Sequence, residues 1–181
     1  MSTWITILRG INVSGARRLP MKELKELFET LTCTNVRTYI QSGNVVFESA
    51  KLDVGTFGKK VEGAIKQGYG YDVPVLVRSL DEMKRVASTN PYLRKKGIEL
   101  DKLHVTFLAA EPAKATASAI AGTTFGNDSF ELLGREAFVH CPDGYGNTKL
   151  NNNWFENKLK VSATTRNWRT VNELVRMGEA G

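Results

Sequence analysis

A chain of 181 residues, 41% hydrophobic and 24% charged, has the composition of an ordinary globular protein and is long enough to bury a core without disulfide or metal staples. Its formal net charge of +6 permits an anionic partner without demanding one. Two histidines, His104 and His140, and two cysteines, Cys33 and Cys141, with no C-x-x-C spacing, argue against a zinc set, so neither a metal nor a cofactor is expected. No apolar run approaches the length of a membrane span, and Met1-Ser2-Thr3-Trp4 carries no basic leader. A cytoplasmic protein without a membrane partner is expected.

Trp4 to Leu8 is a β-branched and aromatic run that predicts a buried strand. The stretch Arg9 to Arg18 reads as a loop, and Pro20 stands where a helix should begin, with Met21, Leu24, Leu27, Phe28 and Leu31 on one stripe. A hairpin spans Arg37 to Glu48, with Ser42-Gly43 as its two-residue turn. That turn sets Gln41 opposite Asn44, Ile40 opposite Val45, Tyr39 opposite Val46, Thr38 opposite Phe47 and Arg37 opposite Glu48. One face then carries Thr38, Ile40, Val45 and Phe47 into the core. The other is polar enough to be wet, and its amides, Gln41 and Asn44, either brace the turn or hold a ligand. A weaker helix from Leu52 to Gln67 follows, then a strand from Val73 to Val77, then a short helix capped by Ser79 and running through Ala87. The order β-α-β-β-α-β is that of the ferredoxin-like split βαβ unit.

Residues 88–101 interrupt this pattern with Asn90-Pro91 and Arg94-Lys95-Lys96-Gly97, and read as a connector. The second half restarts with a strand from Leu103 to Leu108, an alanine-rich helix from Pro112 to Ala121, and a hairpin of Ser129 to Leu133 with Glu136 to Cys141. A helix from about Asn147 carries Leu150, Trp154 and Leu159, and a last helix carries Trp168, Val171, Leu174 and Val175. The expected fold is therefore α+β, with two ferredoxin-like units over residues 1–90 and 91–181. In the second, the last strand is expected to be replaced by the C-terminal helix. The repeat is read in the order of elements, not residue by residue.

Leu8-Arg9-Gly10-Ile11-Asn12-Val13, then Pro20-Met21 with Leu24, then Thr38 through Phe47, then Asn90-Pro91, then Thr165-Arg166-Asn167-Trp168 with Thr170-Val171 form an ordered set of motifs. Together they resemble the bacterial family catalogued as domain of unknown function 1697. The chain departs from the family pattern at Ser14-Gly15, where Gly-Gly is usual, and at Cys33, where glycine is common. The resemblance implies a two-part ferredoxin-like α+β fold. It brings no activity and no catalytic residue.

Two basic constellations are candidates for binding. The loop Gly10 to Arg18 precedes a helix and adds Arg9, Arg17 and Arg18 to its backbone amides, although Ala16-Arg17 stands where a P-loop needs Lys and Ser/Thr. Residues 145–178 hold 6 Lys/Arg against 2 Asp/Glu. There Arg166, Asn167, Arg169 and Thr170 are expected in the first turn of the last helix, capped by Thr164 or Thr165, with arginines opposing the dipole. Acid–base machinery is poorly supplied, and Tyr39 alone on the open hairpin face disfavours an RRM-type RNA reader. The expectation is a binding module for an anionic ligand, either RNA or a phosphorylated small molecule. Its site would be a cleft between the two halves, formed by Arg9, Asn12, Arg17, Arg18, Gln41, Asn44, Lys149, Arg166, Asn167 and Arg169. An enzyme acting on a phosphorylated metabolite and a homo-oligomeric scaffold are the alternatives, and monomer or oligomer stays open.

Overall fold

Alternation along Trp4-Ile5-Thr6-Ile7-Leu8 builds the strand at the centre of the first sheet, and both of its faces are shielded from water. In the computed structural model, which describes residues 1–181, the elements of the first half run β1 (Ser2–Leu8), α1 (Met21–Thr30), β2 (Thr34–Tyr39), β3 (Asn44–Ser49), α2 (Val54–Tyr69), β4 (Val75–Ser79) and α3 (Leu80–Thr89). Those of the second half run β5 (Leu103–Leu108), α4 (Lys114–Ile120), β6 (Ser129–Leu133), β7 (Glu136–His140), α5 (Asn152–Leu159), β8 (Ala163–Asn167) and α6 (Trp168–Glu179). The fold is mixed α+β, with six α-helices and two four-stranded antiparallel sheets, ordered β2-β3-β1-β4 and β6-β7-β5-β8. The chain divides into two compact units, one of Met1–Arg85 with Leu174–Gly181, the other of Val86–Glu173.

In the first unit the core lies between one sheet face and the helices α1 and α2. Leu8, Val45, Phe47 and Val77 from the strands meet Leu24 and Phe28 of α1 and Phe57, Val61 and Ile65 of α2. Phe28, Phe47 and Phe57 form a ring cluster with centroids 5.1–5.7 Å apart. Burying each such side chain is worth about 1.5–3 kcal/mol, with a further increment from edge-to-face contact. α3 starts in a capping box: the Glu82 N–H donates to Ser79 Oγ at 3.1 Å, while the Ser79 N–H donates to Glu82 Oε2 at 2.8 Å. The end of α6 belongs to this unit, where Gly178 leaves room for Leu80 and Lys84 pairs with Glu179 at 3.0 Å. In the second unit, Leu108, Phe130, Ala137, Val139 and Ala163 pack against Leu150, Phe155 and Leu159.

Three expectations are corrected. The first hairpin closes through the four-residue loop Ile40–Gly43, so Tyr39 faces Asn44, Thr38 faces Val45 and Arg37 faces Val46, two residues out of the predicted register. A shift of two preserves the sheet faces, so Val45 and Phe47 stay in the core, but Ile40 leaves the strand with φ 49° and is 51% exposed. The face read as wet is dry over β3 and β1, where Val46, Asn44, Ile5 and Ile7 are fully buried, and half-buried at Arg37, Tyr39 and Glu48. Finally, the second unit does have its last strand: β8 pairs with β5 from His104 opposite Asn167 to Leu108 opposite Ala163.

With β8 in place the two units repeat strand for strand, and the repeat reaches individual residues. The Leu8 N–H donates to Gly43 O at 2.9 Å and the Leu108 N–H to Arg135 O at 2.8 Å. One residue on, the Arg9 N–H donates to Pro74 O at 3.0 Å and the Ala109 N–H to Ser162 O at 2.9 Å. Asp53 caps α2 and Asn151 caps α5, within Lys51-Leu52-Asp53 ahead of Phe57 and Lys149-Leu150-Asn151 ahead of Phe155. The units differ between second hairpin strand and second helix, where the second unit has the longer connection (141–151 against 50–53), and between first strand and first helix. There the first has Arg9 to Pro20 and the second only Ala109 to Ala113.

Candidate functional site: a basic loop at the end of the first sheet

The longer loop is built outward from two buried anchors, Ile11 and Leu19, which tie it to the core. Between them the chain folds back on itself: the Ala16 N–H donates to Val13 O at 2.9 Å and the Asn12 N–H to Arg17 O at 3.2 Å. Asn12 is the clamp. Its Oδ1 accepts from the Leu19 N–H at 2.8 Å, and its Nδ2 donates to Leu19 O at 2.9 Å and to Gln41 O at 2.8 Å. The loop is thereby fixed to the hairpin loop Ile40–Gly43. Gly43 completes the junction, because a Cβ there would lie 2.8 Å from both Leu8 Cβ and Ile11 Cδ1, and its φ of 79° is one that side chains avoid.

Left-handed backbone recurs along the loop, at Gly10 (65°), Asn12 (54°), Ser14 (49°), Gly15 (77°) and Arg17 (48°). Non-glycine residues held there cost about 1 kcal/mol or more each, and such conformations cluster at ligand sites. The stretch from Arg9 to Pro20 contains three arginines and no carboxylate. Arg17 and Arg18 are exposed and form no salt bridge, and Arg17 Nη1 lies 3.5 Å from where a Gly10 Cβ would be. Arg9 follows β1 directly, beside the start of β4. Arg9, Asn12, Arg17, Arg18 and Gln41 thus gather at one end of the first sheet.

Asn44 takes the bracing option. It is fully buried, and its Nδ2 donates to Tyr39 O at 3.1 Å and Ser42 Oγ at 2.9 Å. Gln41 is exposed and meets Asn12 through its backbone carbonyl.

The second unit holds the remaining candidates. Arg166 is not in a helix turn but inside β8, paired with Val105. It is buried, its Nη1 donates to Thr165 O at 2.9 Å, and burial pulls its guanidinium down to about 10. Asn167, not Thr164 or Thr165, caps α6, accepting from the Thr170 N–H at 2.8 Å, which leaves Arg169 exposed in the first helical turn. Lys149 is exposed, with its Nζ 5.7 Å from the Phe125 ring centroid. Sequence reasoning passed over two polar side chains, the buried Arg78 in β4 and the half-buried His104 in β5. The first has a signal after all: Arg78-Ser79 before α3 matches Arg166-Asn167 before α6. His104 stacks on Tyr145 at 4.5 Å, and burial lowers its pKa.

No helix is long and apolar enough to cross a membrane. No group of three His, Cys, Asp or Glu is placed to hold a metal ion.

Compared with known proteins, the chain is similar over its full length to the conserved bacterial protein SP0830 from Streptococcus pneumoniae. The two share 19% identity and a TM-score of 0.71, with 98% of each chain covered. At that identity the likeness speaks for the fold alone. No curated protein matches the chain. Residues 1–138 match the family model described as protein of unknown function DUF1697, a stretch that covers β1 through most of β7 and includes the basic loop and its clamp. This chain therefore belongs to the DUF1697 family.

Proposed function

We propose that this protein is a binding module for an anionic ligand, RNA or a phosphorylated small molecule, built from two ferredoxin-like split βαβ units. The sheet orders β2-β3-β1-β4 and β6-β7-β5-β8 support that description of the units. A cytosolic setting is part of the proposal, and two free, buried cysteines suit it.

The observation that carries the reading is the contrast between the two equivalent loops. Where the second unit turns in Ala109 to Ala113 with a single charge, Glu111, the first spends a longer, strained loop on Arg9, Arg17 and Arg18. Nothing in the fold of the second unit needs that extra length. Two of those arginines have no acidic partner, and a phosphate group would supply one. RNA binding would then be led by the backbone phosphates, since Tyr39 is the one aromatic side chain on that hairpin face and is itself half-buried.

Fluorescence anisotropy with a labelled single-stranded RNA tests this. Binding should weaken with salt with a logarithmic slope of about −2 if three arginines meet phosphates, and Arg17→Ala with Arg18→Ala should flatten that slope by about 1.4. If RNA fails, pyrophosphate should still raise the melting temperature of the wild type and not of the double variant. Failure of both probes removes the reading.

A further inference from the structure

The outermost strand of the second sheet, β6, is an unprotected edge beside a groove. Its hairpin with β7 closes through the two residues Gly134-Arg135, so Leu133 and Glu136 form a hydrogen-bonded pair and the pattern alternates from there. Glu131–Phe138 and Ser129–His140 are then hydrogen-bonded pairs. The N–H and C=O groups of Phe130 and Leu132 turn outward, and no other backbone group meets them. The equivalent strand of the first unit, β2, is blunted by a bulge between Thr34 and Arg37, with Asn35 at φ 48°. β6 has no such defence: its register is unbroken from Ser129 to Leu133 and it contains no proline.

Alongside this edge runs α4, whose side chains are too short to cover it. Ala117, Ser118, Ala121 and Gly122 together with the β6 stretch Phe130–Leu132, Glu131 included, line a groove of about 410 Å³. An antiparallel strand added to β6 would hydrogen-bond to Phe130 and Leu132 and place the two side chains opposite them on the α4 side, in the groove. Between these two, one side chain would fall on the other face, opposite Glu131. That carboxylate has Oε1 at 2.6 Å from Lys95 Nζ, and its Oε2 has no partner. A basic residue fits there.

We propose that the β6 edge docks an extended segment of another protein, recognised as apolar–basic–apolar. A second copy of this chain is the wrong occupant. Two-fold pairing through Phe130 and Leu132 sets Glu131 directly opposite its own counterpart, an unfavourable like-charge pair.

The test is an NMR titration of the whole chain with the acetylated, amidated peptide Thr-Val-Lys-Val-Thr. The amides of Phe130 and Leu132 should shift and exchange more slowly with solvent. Replacing the peptide's lysine by glutamate should weaken binding several-fold, N-methylating both valines should abolish it, and Ala121→Trp in the protein should block the groove. Three results would overturn the proposal: no shift at millimolar peptide, binding that survives N-methylation, or a peptide-free dimer that already protects the Phe130 and Leu132 amides.

Discussion

Arg78 and Arg166 hold the same place in the two units. Each is the next-to-last residue of its unit's final strand, opposite Ile5 in β1 and Val105 in β5, and each is buried. Each donates from Nη1 to the carbonyl of the preceding residue, at 3.2 Å to Val77 and 2.9 Å to Thr165. Each is followed by the residue that caps the next helix, Ser79 or Asn167. A buried guanidinium ahead of a capped helix is thus a repeated structural device, which gives Arg166 a role in holding the strand-to-helix junction.

That role makes Arg166→Ala a stability variant. It removes a large buried side chain and should cost roughly 2–4 kcal/mol in urea denaturation. Arg166→Met restores most of the volume but not the Nη1 hydrogen bond and should recover only part of that loss. A wild-type melting temperature in Arg166→Ala would contradict the assignment.

Asn12 makes the junction between the basic loop and the hairpin loop, so Asn12→Ala should loosen both. Loss of its three hydrogen bonds should cost about 1–3 kcal/mol, and the Leu19 amide should lose protection from hydrogen exchange. Gly43→Ala should do at least as much damage, because its Cβ meets Leu8 and Ile11 and its φ is left-handed. An unchanged Leu19 exchange rate in Asn12→Ala would mean the clamp is dispensable.

Much of this architecture was legible in the sequence, and the failures have identifiable causes. The stripes of α1 and α2, the central strands and the cap at Ser79 follow from periodicity and local chemistry, which tertiary structure did not override. The hairpin register failed because Ile40, β-branched and apolar, reads as strand while the loop holds it at φ 49°. The buried Asn44 was ambiguous because an amide at a turn reads the same whether it binds the backbone or a ligand. β8 was missed because Thr164-Thr165-Arg166-Asn167 carries both threonines that suit a strand and side chains that suit a cap. The residue-level repeat stayed hidden because its signal is a few spaced positions, Lys51, Leu52 and Phe57 against Lys149, Leu150 and Phe155.

Two pH limits follow from burial. His104 and His140 both have lowered pKa values, with desolvation the largest cause. Unfolded histidine therefore takes up a proton that the folded chain resists, so stability should fall as pH drops below about 6.5. At the other end, burial pushes the Cys33 and Cys141 thiols from 9.0 up to about 11, so the stability they contribute is complete below pH 9 and is lost as pH rises through 11. Chemical denaturation from pH 5 to 11 should trace a plateau with both shoulders. His104→Gln should shrink the acid shoulder, and an acid limb identical to wild type would contradict that assignment.

The basic loop is tested most directly by an amide chemical-shift titration of the whole chain with pyrophosphate at low salt. Shifts should concentrate in residues 9–18 and 40–43 and be reversed by added salt. In Arg17→Ala with Arg18→Ala these shifts should be abolished at an unchanged melting temperature. Shifts confined to other parts of the chain, or a double variant that binds as well as wild type, would contradict anion binding by the loop.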